Sequence, residues 1–428
     1  MIAIDLIRNN PDLVKENLRK KHQEDKISIV DEIKELDNKY RALKTKADNF
    51  RAERNTNSKQ IGALLAAGDS EKAEIMKKNV LVIGGSIDKI SNEEEELAKK
   101  INLLMLKIPN IISPDTPPGA SDADNVVIKK YGEEKVPDFE IPYHTDILEK
   151  VNGVDLDGAR KVAGQGFYFL TGDIARLHSA LISYARDFMI KKGFTYVIPP
   201  YMIRSAAVDG VMSFEEKDDM MYKIENEDLY LIGTSEHTMI ARYMDSIIDE
   251  KDLPIMLTSY SPCFRKEKGA HGIEERGIYR VHQFEKQEMI VICKDLEQSK
   301  IWYDKMYNYT IEFFLTLGIP VHTLECCAAD LADLKYRSVD IETWSPRQKD
   351  YYLEAGSCSN LTDAQARRLK IRVKDKDGKK QFVHTLNNTV VAPPRMLIAF
   401  VENNLNKDGS INVPEALWPY MGDTRVIK

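Results

Sequence analysis

Residues 263–289, CFRKEKGAHGIEERGIYRVHQFEKQEM, read as two strands joined by a long polar loop. The first strand ends on Phe264-Arg265-Lys266-Glu267. The second carries Val281-His282-Gln283-Phe284-Glu285 and reaches Glu288. An arginine and an acid close one strand, with an aromatic ring and an acid on its partner. Together they make a site for something anionic and flat, a description that a nucleotide fits.

Outward from this hairpin, further strands are expected at 229–232, 256–260 and 288–293, with weaker ones at 351–355 and 382–386. An amphipathic helix is expected over 173–192, followed by a short strand, Thr195-Tyr196-Val197-Ile198, that Pro199-Pro200 stops. The strands do not alternate regularly with helices. The fold class is therefore α+β, a mostly antiparallel sheet flanked by helices rather than a Rossmann fold. No GxGxxG and no GxxxxGK[ST] is present, so a nucleotide bound here does not use a P-loop.

The first third of the chain is different. Ile33, Leu36, Tyr40, Leu43, Ala47, Phe50, Arg54, Asn57, Ile61 and Leu64 follow steps of three and four, as do Met76, Val80, Ile83, Ile87, Ile90, Glu94, Leu97, Ile101, Leu104 and Ile108. Both are heptad seams. Between them Gly68 suits a left-handed helix end, and Asp69 or Ser70 suits the next cap. The pattern predicts an antiparallel coiled-coil hairpin of about 35 residues per helix, an arm on the order of 50 Å long. Gly84-Gly85 and the polar seam residues weaken it locally. Lys39, Arg41, Lys44, Lys46, Arg51, Arg54 and Lys59 form a basic stripe. It is either a phosphate-binding face or the ordinary solvated outside of a coiled coil. Four prolines and Gly119 mark 109–124 as a linker. The domains are then 1–110, the arm, and 111–428, the mixed body.

A chain of 428 residues has room for two or three domains. Its net charge of −7 gives no global argument for nucleic acid, so any such face must be local. Cys263, Cys293, Cys326, Cys327 and Cys358 are few and lack paired CxxC spacing, which speaks for a reducing compartment and against a structural zinc. The N-terminus lacks the pattern of a signal peptide, and no apolar run approaches the roughly 20 residues of a spanning helix. A cytoplasmic location with no membrane partner is the expectation.

Four features could carry chemistry. Arg265 can place its planar fork on phosphate or carboxylate, or simply pair with Glu267. Phe284 can stack on a base or sit in a core. Glu354-Ala355-Gly356-Ser357 offers a carboxylate and a hydroxyl to a hard cation such as Mg²⁺, or is a turn with a capping serine. Arg395, after Ala392-Pro393-Pro394, opens a helix whose free amides add to its charge; the alternative is that the prolines only start the helix.

Each signal is weak alone, but their order and flanks are specific. With CFRxE at Arg265, HQFxKxEM after it, CSNxTDxQARR after Glu354 and TLNN ahead of Arg395, the chain resembles the seryl-tRNA synthetases, a class II aminoacyl-tRNA synthetase family. The resemblance covers the full length, including the arm, which in that family grips the long variable arm of tRNA-Ser. Residues 172–200 resemble motif 1, the family's dimer interface. The opening stretch resembles motif 2, and 385–403 resembles motif 3.

The resemblance implies an enzyme that activates L-serine with ATP and Mg²⁺, transfers it to tRNA-Ser and in many members tRNA-Sec, and works as a homodimer. It implies that Thr234, Ser235 and Glu236 hold the serine amino group. Glu288 and Thr389, with Asn387 beside them, would read its hydroxyl. Arg265 would bridge serine carboxylate and α-phosphate. Lys266, Glu267, Val281 and Phe284 would surround the adenine, Glu354 to Ser357 with Ala355 and Gly356 would line the metal and phosphates, and Arg395 would take the γ-phosphate. The metal pair is Glu354 and Ser357; the catalytic pair is Arg265 and Arg395.

Four places depart from the commoner pattern: Asn388 for a glycine, Thr389, which keeps a hydroxyl but adds a methyl, Gly356 for a serine, and loop 269–277 with His271, Glu274 and Glu275. A carrier-protein-loading paralogue is the second reading, and the arm argues against it. A catalytically dead RNA-binding paralogue is the third, and retention of the key residues argues against that.

Overall fold

The computed structural model describes residues 1–213, 216–267, 277–348 and 350–428. The chain divides into two compact units, Ile2–Pro109 and Asn110–Lys428, the second including Met1.

In the first unit, two short helices, α1 (Ile4–Asn9) and α2 (Pro11–Lys20), precede the long pair α3 (Ile27–Ala66) and α4 (Ser70–Lys107). At 40 and 38 residues the long helices exceed the predicted length, giving an arm on the order of 60 Å. The heptad seam is as predicted: Ile33, Leu36 and Ala47 are buried on α3, and Ile83, Ile87, Ile90 and Ile101 on α4. Asp69 caps α4, its carboxylate accepting from the Lys72 amide. Gly84 and Gly85 do not interrupt α4, which runs continuously through them. Arg8 on α1 donates two hydrogen bonds, each 2.8 Å, to the buried carboxylate of Asp37. That paired geometry holds Asp37 below its usual range and fixes α1 against α3.

The second unit is built on an eight-stranded sheet. Its strands are β1 (Val126–Tyr131), β2 (Thr195–Val197), β3 (Ile255–Phe264), β4 (Gln283–Cys293), β5 (Val321–Glu325), β6 (Arg337–Trp344), β7 (Tyr352–Thr362) and β8 (His384–Val391). They lie in the order β1-β5-β6-β7-β8-β4-β3-β2. Every pairing is antiparallel except β2 with β3. The α+β expectation therefore holds.

One face of the central strands is apolar. Met289, Val291 and Cys293 of β4, Leu386 of β8, Cys358 of β7, and Val339 and Ile341 of β6 belong to the main core. The helices α5 (Gly172–Lys191), α7 (Leu296–Thr316) and α9 (Pro393–Asn403) contribute Leu177, Leu181, Phe313, Phe314, Leu397 and Phe400 to it. Among the shorter helices, α6 (Ser235–Ala241) precedes β3, and α8 (Ala364–Leu369) follows β7.

Several boundaries differ from expectation. The segments 256–260 and 264–267 form a single strand that stops at Phe264, and Glu267 takes a left-handed φ of 47°. The segments 279–285 and 288–293 likewise merge, but β4 begins only at Gln283. Strand β7 continues far past the predicted 351–355. Strands β1, β5 and β6 are additional to the predicted strands; β1 is an exposed edge strand, which lacks the burial pattern that marks a strand in sequence, whereas β5 and β6 are largely buried.

The proline-rich segment is also more than a tether. The Asn110 side chain is buried and donates to the Leu334 and Leu361 carbonyls and to the Thr362 hydroxyl. The Ser113 amide donates to the Tyr336 carbonyl at 2.8 Å. Its backbone finds partners in the sheet unit, which a free linker would leave to water.

Candidate active site

The other face of the same strands is polar around Lys286, Glu288 and Thr389 and gives way to a second apolar cluster at Ile290 and Ile292. Side chains alternate along a strand, so Phe284, Lys286 and Glu288 of β4 share one side, and Asn387 and Thr389 of β8 share it with them. Register sets the neighbours: Glu288 lies opposite Thr389 on β8 and Ser259 on β3, and Asp340 of β6 lies opposite Ser357 of β7. All of these except Ser259 line a pocket of about 480 Å³ with Thr234, Glu236, Arg265, Glu267, Val281, Glu354, Ala355, Gly356 and Arg395.

Of the expected site residues, only Ser235 and Lys266 lie off this wall. Ser235 is fully buried at the start of α6. Lys266 donates from its ammonium to the Asp218 carbonyl at 3.1 Å, and its amide donates to Met220. Thr234 caps α6, its hydroxyl accepting from the Glu236 amide at 3.2 Å. This cap presents Glu236 to the pocket. Of loop 269–277, only Gly277 lies among the described residues; His271, Glu274 and Glu275 lie outside them.

Glu354 and Ser357 share the pocket only because of a bulge. Three residues apart on a regular strand, they would point to opposite faces. The register runs Ile341↔Gly356 and then Glu342↔Glu354, so Ala355 is the extra residue. Its methyl is buried in the core while both polar neighbours line the cavity. A carboxylate and a hydroxyl so placed are the hard oxygen donors that Mg²⁺ takes. Burial works against ionising Glu354. The guanidinium of Arg395, with Lys335 and Arg265 beyond it, outweighs burial and holds the carboxyl below its ordinary range.

Arg265 sits at the mouth of the β3–β4 hairpin. Its amide donates to the His282 carbonyl, its Nε donates to the Gly233 carbonyl at 3.2 Å, and its guanidinium lies 5.2 Å from the Phe284 ring centre. Glu267 pairs with Arg280 at 3.2 Å, not with Arg265. Arg395 is the third residue of α9, behind the two prolines that start it. Its NH1 donates to the Glu354 carboxylate at 2.9 Å and carbonyl at 3.1 Å.

The deep end holds two carboxylates. Burial, then the nearby charge of Glu288, pushes the Glu236 carboxyl up to about 7, against a 2.7 Å hydrogen bond from Gln365. Glu288 accepts from the ammonium of Lys286 through Oε1. Burial, with Arg265 and Lys286 alongside, drives the His237 imidazole down to about 3, so it is neutral at physiological pH.

Sequence reasoning missed Lys286, His237, Lys335 and Asp340, which also line the pocket. Lys286 had a signal, since it stands two residues before Glu288 on the same strand face. Burial and the Glu354 charge push Asp340 up to about 7, with Lys335 and the Ser357 hydroxyl opposing. Asn388, one of the departures, faces away. Its side-chain amide donates to the Met306 carbonyl at 2.8 Å and the Thr310 hydroxyl at 2.9 Å on α7. Gly356 lies against Thr389, with 3.4 Å between its would-be Cβ and the Thr389 Cβ, so an added Cβ would make ordinary contact there.

Known proteins agree with this geometry. Residues 1–112 match the seryl-tRNA synthetase N-terminal domain, and 220–404 match the tRNA synthetase class II core domain for G, H, P, S and T. The chain is 41% identical to the serine–tRNA ligase of Methanocella arvoryzae, across 98% of this chain and 99% of that one. It superposes on the crystal structure of seryl-tRNA synthetase from Pyrococcus horikoshii complexed with ATP with a TM-score of 0.93, at 39% identity, covering 100% and 99% of the two chains. The cytoplasmic serine–tRNA ligase of Naegleria fowleri in complex with AMP gives a TM-score of 0.88 at 30% identity, again covering 100% and 99%. With the coiled-coil arm, the antiparallel sheet and the arginine-bracketed pocket in place, these matches show that the chain belongs to the seryl-tRNA synthetase family.

Proposed function

We propose that this protein activates L-serine with ATP, releasing pyrophosphate, and transfers the serine to the terminal adenosine of tRNA-Ser. The observation that carries this reading is the mixed charge of one pocket. Its wall holds the arginines Arg265 and Arg395, and also the carboxylates Glu236 and Glu288 with the hydroxyl-bearing Thr389, which lies opposite Glu288 in the sheet. A zwitterionic amino acid with a hydroxyl matches the second group, and a nucleoside triphosphate matches the first.

In activation the serine carboxylate oxygen attacks the α-phosphorus, the acyl–phosphate bond forms, and the bond to pyrophosphate breaks. Both partners are anionic, so Arg265, set between them, lowers their repulsion and stabilises the charge that grows in the transition state. Arg395 would hold the terminal phosphate, and Phe284 would stack on the adenine against Glu267 and the Val281 backbone. Glu354 and Ser357 would hold Mg²⁺, which supplies further positive charge to the phosphate oxygens. No general base is required, because a carboxylate is already ionised near pH 7. Glu236 would pair with the serine ammonium, and Glu288 and Thr389 with its hydroxyl. Alanine leaves those groups unpaired, and that asymmetry supports discrimination of about 10⁴-fold or more.

The same reading assigns 1–110 as the tRNA-binding arm and 111–428 as the catalytic domain of a cytoplasmic homodimer, with tRNA-Sec as a further substrate. Exposed Ile190, Ile198 and Met202 in and beside the segment resembling motif 1 support the dimer. No described helix is long and apolar enough to cross a membrane. Serine-dependent ATP–pyrophosphate exchange, run beside alanine, threonine and glycine, tests the reading. Exchange with serine alone is expected, and its absence would overturn the proposal.

A further inference from the structure

We infer that Lys286 is a positioning residue of the amino-acid site: it occupies one oxygen of Glu288 so that the other is left for the substrate. The inference rests on the serine-activation reading. Lys286 and Glu288 are alternate residues of β4 and project from one strand face into one pocket. The Lys286 ammonium pairs with Glu288 Oε1, and the two side chains are only 9% and 2% exposed. Glu288 Oε2 is buried, with no hydrogen-bond partner among the described residues. A buried carboxylate oxygen left unpaired is costly unless a ligand completes it. The free oxygen is thus the acceptor for an arriving donor, and the pairing at Oε1 sets which oxygen that is.

The surrounding charges show why a cation is needed there. Glu236 and His237 face this pair from α6, and Cys263 and Arg265 from β3 and its end, while Lys335, from the segment before β6, acts on Glu236. His237 is neutral, and burial pushes the Cys263 thiol up, so it is neutral too. The pocket floor therefore holds two carboxylates, Glu236 and Glu288, and Lys286 is the cation bonded to one of them. Lys286 also opposes the effects that push Glu236 up. Replacing it with an apolar residue would leave the two acids facing each other without that cation, and such pairs share protons.

The test uses the full chain carrying Lys286→Met or Lys286→Arg, assayed by pyrophosphate exchange from pH 6 to 9 with serine and ATP varied separately. Thermal unfolding would check that each variant is folded. For Lys286→Met the KM for serine should rise on the order of 100-fold, the scale of breaking a buried ion pair. The KM for ATP should stay within about threefold, since only the serine end is touched. The acid limb of kcat/KM for serine should move to higher pH, and Lys286→Arg should recover at least about tenfold of the loss. A Lys286→Met enzyme with wild-type serine KM and an unmoved acid limb would overturn the inference. So would equal losses for serine and ATP, which mark a merely structural lysine. Absence of serine-dependent exchange by the wild-type protein would overturn the functional reading as well, and that outcome is separable because it precedes any variant.

Discussion

One guanidinium nitrogen of Arg395 donates to both the side chain and the main chain of Glu354, and the same guanidinium lies 4.7 Å from the Tyr279 ring centre. Arg395 is thereby held at the cavity wall before any phosphate arrives. Pre-set charge of this kind costs no reorganisation during reaction. If Arg395 takes the terminal phosphate as proposed, Arg395→Ala should lower serine-dependent exchange about 10³-fold. Arg395→Lys keeps the charge but not the fork, and should lose roughly 10- to 100-fold. Steady-state exchange with ATP varied measures both; a change under about threefold for alanine would contradict the role.

Arg265 is tied by its Nε to Gly233, which leaves its terminal nitrogens to face the pocket. Arg265→Ala should abolish adenylate formation, with a loss of about 10³-fold or more in kcat. Its thermal stability should change little, because among the described residues the side chain gives up one hydrogen bond, worth about 1 kcal/mol, and its contact with the Phe284 ring, worth about 0.5–1 kcal/mol. Single-turnover formation of labelled adenylate is the direct measurement.

Much of this site is legible in the sequence because strand geometry is simple. Phe284 and Glu288, or Asn387 and Thr389, stand an even number of residues apart and so share a face. Glu354 and Ser357 stand an odd number apart, and their convergence depends on the bulge at Ala355, which the partner strand β6 imposes. Lys335 comes from an irregular segment and reaches the pocket only through tertiary packing, so no periodicity announces it. The arm is the opposite case. Its seam residues are local and repetitive, and even its polar members Arg54, Asn57 and Glu94 are partly covered along the seam. The proline-rich segment shows the limit: its composition marks it as non-helical, but the hydrogen bonds that Asn110 makes with residues more than 200 positions away leave no local trace.

Asn388 joins β8 to α7 rather than serving the pocket. Asn388→Gly restores the commoner residue of the family pattern but removes both amide hydrogen bonds, leaving the Thr310 hydroxyl only the bond it donates to the Thr389 carbonyl. The expected destabilisation is roughly 1–3 kcal/mol. Chemical denaturation should show it, while the serine KM should stay within about twofold. A large serine effect with unchanged stability would reverse this assignment.

The exposed lysines of the arm, Lys44, Lys46 and Lys59, should matter for tRNA and not for activation. Replacing all three with alanine should leave pyrophosphate exchange unchanged and weaken tRNA charging. If they meet phosphates, the slope of log affinity against log salt should fall by about one for each lysine–phosphate pair removed. Affinity measured by filter binding across salt concentrations decides it; an unchanged slope would mean that this stripe is only a solvated helix face.

The raised carboxyl of Glu236 sets a pH dependence with a definite sign. Its value of about 7 comes first from burial and then from the Glu288 charge, so below pH 7 the free protein carries Glu236 mainly as the neutral acid. A neutral acid cannot pair with the serine ammonium, so kcat/KM for serine should fall about tenfold per pH unit below that value and level off above it. Bound serine brings a cation beside the carboxylate and favours its charged form. The acid limb of kcat should therefore lie at lower pH than that of kcat/KM. Glu236→Gln removes the titrating group, and its serine kcat/KM should be low but nearly flat across the same range. Exchange assays from pH 5.5 to 8.5 at saturating ATP separate these cases. A Gln variant that keeps the wild-type limb would assign the titration to another group, and Asp340, also raised to about 7, would be the next to test.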